Sequence, residues 1–276
     1  MYKALDNSLF MKDQERYETV RKRAVAFNSN YTGSNIIQDD IFHIIENYVL
    51  LHDMHFELFR FPLGDLDFCA CTFIRNDRVF VVINSAMPLC KQIFAAAHEF
   101  YHLYNYFEDY DPEYQEHSSI LDSATMDEDT SRIEDMEANA FAGLILAPTR
   151  SISEQIDIFH IDRDNIGIKQ LLVLMEIYAI PYKAMILRLF EDKIIHEDDA
   201  RGLFRCSESE IIRQCDLTGR AKRWLKTSEM DVEFGSLTEN MRRVSQLDAV
   251  DTERYEHDTE RIQKIISTLL SGKEGK

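Results

Sequence analysis

The stretch from Pro88 to about Phe107 constrains this chain most. Ile93, Ala96, Phe100 and Leu103 form one apolar row at helical spacing, and Phe94, Ala97, Tyr101 and Tyr104 form another. A helix apolar on both rows has to be buried. His98, Glu99 and His102 lie in its middle as HEFYH, where polar side chains without partners are costly. Four residues apart, the two histidines project from one face and can share a tetrahedral metal ion at about 2.0–2.1 Å. Glu99 stands beside the first histidine, placed to take a proton from water rather than to bind the ion. Zinc in such a site acidifies its water towards a pKa of about 7 and polarises a peptide carbonyl, while the glutamate carries the proton to the leaving amine.

Two histidines leave a gap, because a catalytic zinc site uses three protein ligands and one open position. The segment EDMEANAFAGLIL offers Glu134, Asp135 and Glu137 on a helix whose core face carries Ala138, Phe141, Ala142 and Ile145. Asp135 flanks that face and lies one turn before Asn139, whereas Glu137 points well away from it. Asp135 is the expected third ligand, with Glu137 as the alternative and Asn139 placed to hold a histidine by a hydrogen bond. The competing explanation is an acidic helix start favoured by the helix dipole alone.

Around this pair of helices the patterning predicts an α+β fold. A small antiparallel or mixed sheet packs on the buried HEFYH helix and on the second ligand helix, followed by a mostly helical C-terminal region. Residues 13–27 and 35–51 read as helices, the latter through Ile37, Ile41, Ile44, Ile45 and Val49. Phe56–Phe61, Phe68–Ile74 and Val79–Ile83 read as short strands, with Asn76-Asp77 as a hairpin turn. Residues 108–132 are acidic and aperiodic, which predicts a long loop or lid. Apolar helices are predicted near Ile168–Ala179 and Tyr182–Phe190, parted at Pro181; beyond Arg205 the chain is charged and only intermittently apolar, ending in a helix at Arg261–Leu270. The expected divisions are 1–34 as an N-terminal helical extension, 35–205 as the peptidase domain and 206–276 as a helical C-terminal extension.

The 276 residues carry a formal charge of -18, which disfavours phosphate backbones and anionic lipid. Lys169, Lys183 and Arg188 are too sparse to make a DNA-reading unit of the helices around Pro181. No signal peptide or apolar run of membrane length is readable, so a cytoplasmic protein is expected. Cys69 and Cys71 read as small packed residues of a strand, and His52 and His55 as surface or cap histidines. His117 is a candidate lid residue. Tyr101 and Tyr104 could offer an oxyanion donor, but their register fits core packing. The run MDEDTSRIEDME lacks calcium-loop spacing and reads as a solvated face.

The strings VFVVINSAM and KQIFAAAHEFYH, followed by DMEANAFAGLILAP, resemble the ImmA/IrrE family of metallo-endopeptidases. That family pairs HExxH with a later helix of the form E-x-x-A-N-x-F-A-x-x-L-L-x-P. Asp135, Ala138, Asn139, Phe141, Ala142, Ile145 and Pro148 occupy the pattern here, and LLVLMEIYAIPYKAMILRLFEDKII resembles the helical segment that follows. The resemblance covers roughly residues 35–200. It implies a gluzincin-like fold, one Zn2+ per chain and intracellular cleavage of a protein substrate, a helix-turn-helix transcriptional repressor. Two departures stand out: Asp replaces the usual Glu as third ligand, and the insertion at 108–132 is long. The rival readings are a catalytically silent metal-binding partner module of toxin–antitoxin or phage type, and a transcription regulator using residues 168–190. The intact Glu99 speaks against the first and the charge against the second.

Overall fold

A computed structural model describes residues 3–65, 67–108, 117–122, 132–227, 232–246 and 252–271. Its strands are β1 (His55–Phe61), β2 (Phe68–Arg75), β3 (Arg78–Asn84), β4 (His117–Asp122) and β5 (Glu233–Phe234). Asn76 and Asp77 both take positive φ, 51° and 57°, the backbone that a two-residue hairpin needs to match strand twist. β2 thus runs antiparallel to β3, while β1 lies parallel on the other side of β3. The sheet order is β4-β2-β3-β1-β5, mixed and open.

The helices are α1 (Lys3–Asp6), α2 (Leu9–Lys12), α3 (Gln14–Tyr31), α4 (Ile41–Leu51), α5 (Leu89–Glu108) and α6 (Ile133–Leu146). They continue as α7 (Thr149–Ile158), α8 (Ile168–Tyr178), α9 (Tyr182–Glu191), α10 (Glu197–Phe204), α11 (Glu208–Thr218) and α12 (Lys222–Leu225). The last two are α13 (Leu237–Gln246) and α14 (Thr252–Ser271). The expected α+β architecture is the observed one.

α5 is the central beam. It lies against the face of the sheet where Ala70, Thr72 and Ile74 of β2 alternate inward and Val79, Val81 and Ile83 of β3 do the same, all buried. α6 packs on the far side of α5, and α3 packs on α6. Asp13 caps α3 by accepting from the Arg16 N–H, and Tyr17, Val20, Ala24 and Phe27 make its buried stripe. Phe27 sits 4.9 Å from Phe100 and 5.9 Å from Phe141, so one aromatic cluster ties α3, α5 and α6 together.

The structure redraws three expectations. The division at residue 34 does not part the core, since α3 contributes four buried side chains to the same cluster as α5 and α6. The division at 205 does not either, because Cys215, Ala221 and Trp224 are buried in that cluster and β5 pairs with β1. The stretch expected to be a loop at 108–132 contains β4, an edge strand paired with β2; residues 109–116 and 123–131 lie outside the described residues. A short strand between two acidic runs has too little periodicity to stand out in sequence.

Arg188 is a core residue rather than a surface cation. Fully buried on α9, it donates to Ala147 O, Tyr17 Oη, Glu191, Asp192 and Thr149, so every edge of the guanidinium is engaged. Among the described residues no single helix is long and apolar enough to cross a membrane.

Candidate metal and active site

α5 and α6 bring together three side chains, His98, His102 and Asp135, from either side of the segment that carries β4. His98 and His102 are buried, and their Nε2 atoms face each other at 3.3 Å. Asp135 Oδ1 lies 3.9 Å from His98 Nε2 and 3.8 Å from His102 Nε2. One donor atom from each residue falls within 4.8 Å of the others. This buried His–His–Asp group could hold a metal ion. The donor chemistry fits, because two imidazole nitrogens and a carboxylate oxygen converge where a cation would relieve the crowding of lone pairs.

The protonation pattern agrees. Asn139, one turn along α6 from Asp135, places Oδ1 2.9 Å from His98 Nδ1. An oxygen acceptor there keeps the proton on Nδ1 and leaves Nε2 with its lone pair towards Asp135 and His102. Burial pushes the His98 pKa down to about 4, against the opposing pull of the Asn139 hydrogen bond, so the ring is neutral near pH 7.

Glu99 is completely buried beside this group. Ser119 of β4 donates to its Oε2, while Oε1 is buried with no hydrogen-bond partner among the described residues. Thr72 Oγ1 approaches the same carboxylate without an aligned hydrogen bond. Burial lifts the Glu99 pKa to about 7, with the Ser119 hydrogen bond working the other way and the Asp135 charge adding to the rise. A carboxylate with one oxygen anchored, one free and a pKa near neutrality is suited to accept and return a proton.

The remaining candidates fall elsewhere. Glu137, the alternative ligand, accepts from Arg16 Nη1 and from Tyr101 Oη, each at 2.9 Å, and is not part of the donor group. Tyr101 is buried and committed to Glu137, and Tyr104 is buried against Phe141, so neither offers an oxyanion donor. His52 caps the end of α4 and stacks on Phe107 with ring centroids 4.2 Å apart. His55 opens β1 opposite Arg78. The His117 backbone belongs to β4, but its side chain lies outside the described residues, as do residues 126–131 of the acidic run. Cys69 and Cys71 form no disulfide among the described residues, and burial pushes the Cys71 thiol up to about 11. α8 and α9 meet at 98° across Pro181. Ser119 is the residue that sequence reasoning missed; its only signal was the alternation in HSSILD, where Leu121 is buried and Ile120 exposed.

The chain matches no family model and no curated protein.

Proposed function

We propose that this protein is a zinc-dependent endopeptidase. The observation that carries the reading is the convergence of His98, His102 and Asp135 beside a buried Glu99 with one unpaired oxygen. His98, His102 and Asp135 would hold the ion. Bound there, zinc would supply Lewis acidity and lower the pKa of water in the remaining coordination position. Glu99, with a pKa of about 7, would take up the proton released as water attacks a peptide carbonyl and return it to the departing amine nitrogen. Ser119 would keep the carboxylate turned so that Oε1 faces the reaction. Asn139 would fix the His98 ring. The ImmA/IrrE resemblance supports a protein substrate of the helix-turn-helix repressor class, cleaved inside the cell.

Metal content of the purified wild type, His98→Ala and Asp135→Ala proteins tests the centre. About one zinc per chain, absent from both variants, is the expected result. Cleavage of a co-expressed helix-turn-helix repressor by wild type but not by Glu99→Gln then tests the reaction. A protein that takes up no metal after zinc is supplied under reducing conditions would sink the reading.

A further inference from the structure

Thr72 is a buried polar residue in an apolar row. Ala70 and Ile74 flank it on the inward face of β2, and Val79, Val81 and Ile83 of β3 lie across from the three, all buried. Valine has the same shape, favours strands as strongly and carries no hydroxyl to desolvate. Thr72 Oγ1 nonetheless has no aligned hydrogen-bond partner among the described residues. A buried hydroxyl in that condition costs stability and calls for a cause.

Glu99 supplies one. Thr72 and Ser119 are direct cross-strand partners of β2 and β4, so their hydroxyls reach the Glu99 carboxylate from adjacent strands. Ser119 donates to Oε2, and Thr72 Oγ1 approaches the same carboxylate. Glu99 Oε1 is also buried without a partner among the described residues. A hydroxyl lacking an acceptor and an oxygen lacking a donor therefore sit at one carboxylate. The terminal torsion of a glutamate is broad, so a turn of the carboxylate that pairs them is cheap.

We infer that Thr72 is a positioning residue for Glu99: its hydroxyl takes hold of the carboxylate when that group turns, while Ser119 holds it in the present arrangement. The contact stands on the geometry alone, and its consequence for catalysis rests on the peptidase reading. A general base that meets water first and the departing nitrogen afterwards has to swing between two positions. A hydroxyl is free to rotate and can donate to the carboxylate as it moves.

The contact is tested without metal. In urea unfolding of the metal-free full-length protein, Thr72→Val should lower the folding equilibrium constant about tenfold more with Glu99 in place than in a Glu99→Leu background. Thr72→Ser keeps the hydroxyl and loses only a methyl group, so its cost should be the same in both backgrounds. The consequence is tested on the zinc-loaded protein with a helix-turn-helix repressor as substrate. Thr72→Val should lower kcat about tenfold at unchanged KM, and Thr72→Ser should restore it. An equal cost of Thr72→Val in both Glu99 backgrounds makes Thr72 a packing residue and overturns the inference. Full kcat in Thr72→Val does so too, as does a Thr72→Ser protein as slow as Thr72→Val. Coupling to Glu99 in a wild type that cleaves nothing would keep the contact and retire the peptidase reading instead.

Discussion

Glu99 binds its proton more tightly in the folded chain than in the unfolded one. Its folded pKa, raised by burial to about 7, lies above the ordinary carboxylate value. The stability that the protonated group allows is therefore fully present at acid pH and lost as pH rises through about 7. In metal-free protein at pH 8, Glu99→Gln should unfold at higher denaturant than wild type by roughly 3 kcal/mol, with the advantage vanishing near pH 4. Equal stability of the two proteins at both pH values would show that the carboxylate is not buried as described. Asn139 acts on the same site through His98. Asn139→Ala should weaken metal affinity by about 10–100-fold in competition with a chromophoric chelator, leaving about one ion per chain at saturation.

At the scale of elements, two junctions are held by small polar networks. Arg188 on α9 neutralises Glu191 and Asp192 where α9 meets the end of α6, and Gly143 of α6 leaves the space its side chain fills, since an added Cβ would come 2.9 Å from Arg188 Cδ. Removing the cation leaves two carboxylates buried without it. Arg188→Met should therefore lower stability by about 3–5 kcal/mol in urea titration, and a loss below 1 kcal/mol would contradict the buried network. On the sheet, β5 is fastened to β1 by Glu57, which accepts from the Ser236 backbone N–H at 2.7 Å, and by the Arg60–Glu233 ion pair. Gly235 has φ +52°, and a Cβ there would run into the Glu57 carboxylate. Gly235→Ala should release residues 232–236, seen as faster amide exchange in that peptide with protection of β2 and β3 unchanged.

For the whole molecule, the N-terminal helices are part of the domain that holds the site. Tyr17, Val20, Ala24 and Phe27 are each no more than 2% exposed, and three of them are large. At about 1.5–3 kcal/mol per large buried side chain, their loss is comparable to the 5–15 kcal/mol net stability of a typical domain. A chain beginning at residue 35 should therefore be insoluble or lack a cooperative thermal transition. A sharp transition near that of the full-length protein would restore the division at residue 34.

The HEFYH helix, its strands and the ligand helix were legible because each repeats a pattern within a few residues. Two apolar rows fix α5 as buried, and the four-residue step from His98 to His102 follows from helix geometry alone. That Asp135 and not Glu137 faces the two histidines was also readable, as the two point to different sides of α6. What sequence could not supply was anything set by contacts between distant segments. That β4 brings Ser119 onto Glu99, that Arg188 is enclosed rather than exposed, and that α3 and α12 share one core all depend on how elements meet. Local periodicity reports which face of an element seeks burial, but not which partner buries it. The pairing of β4 with β2 and the order of the five strands exist only once the sheet is assembled.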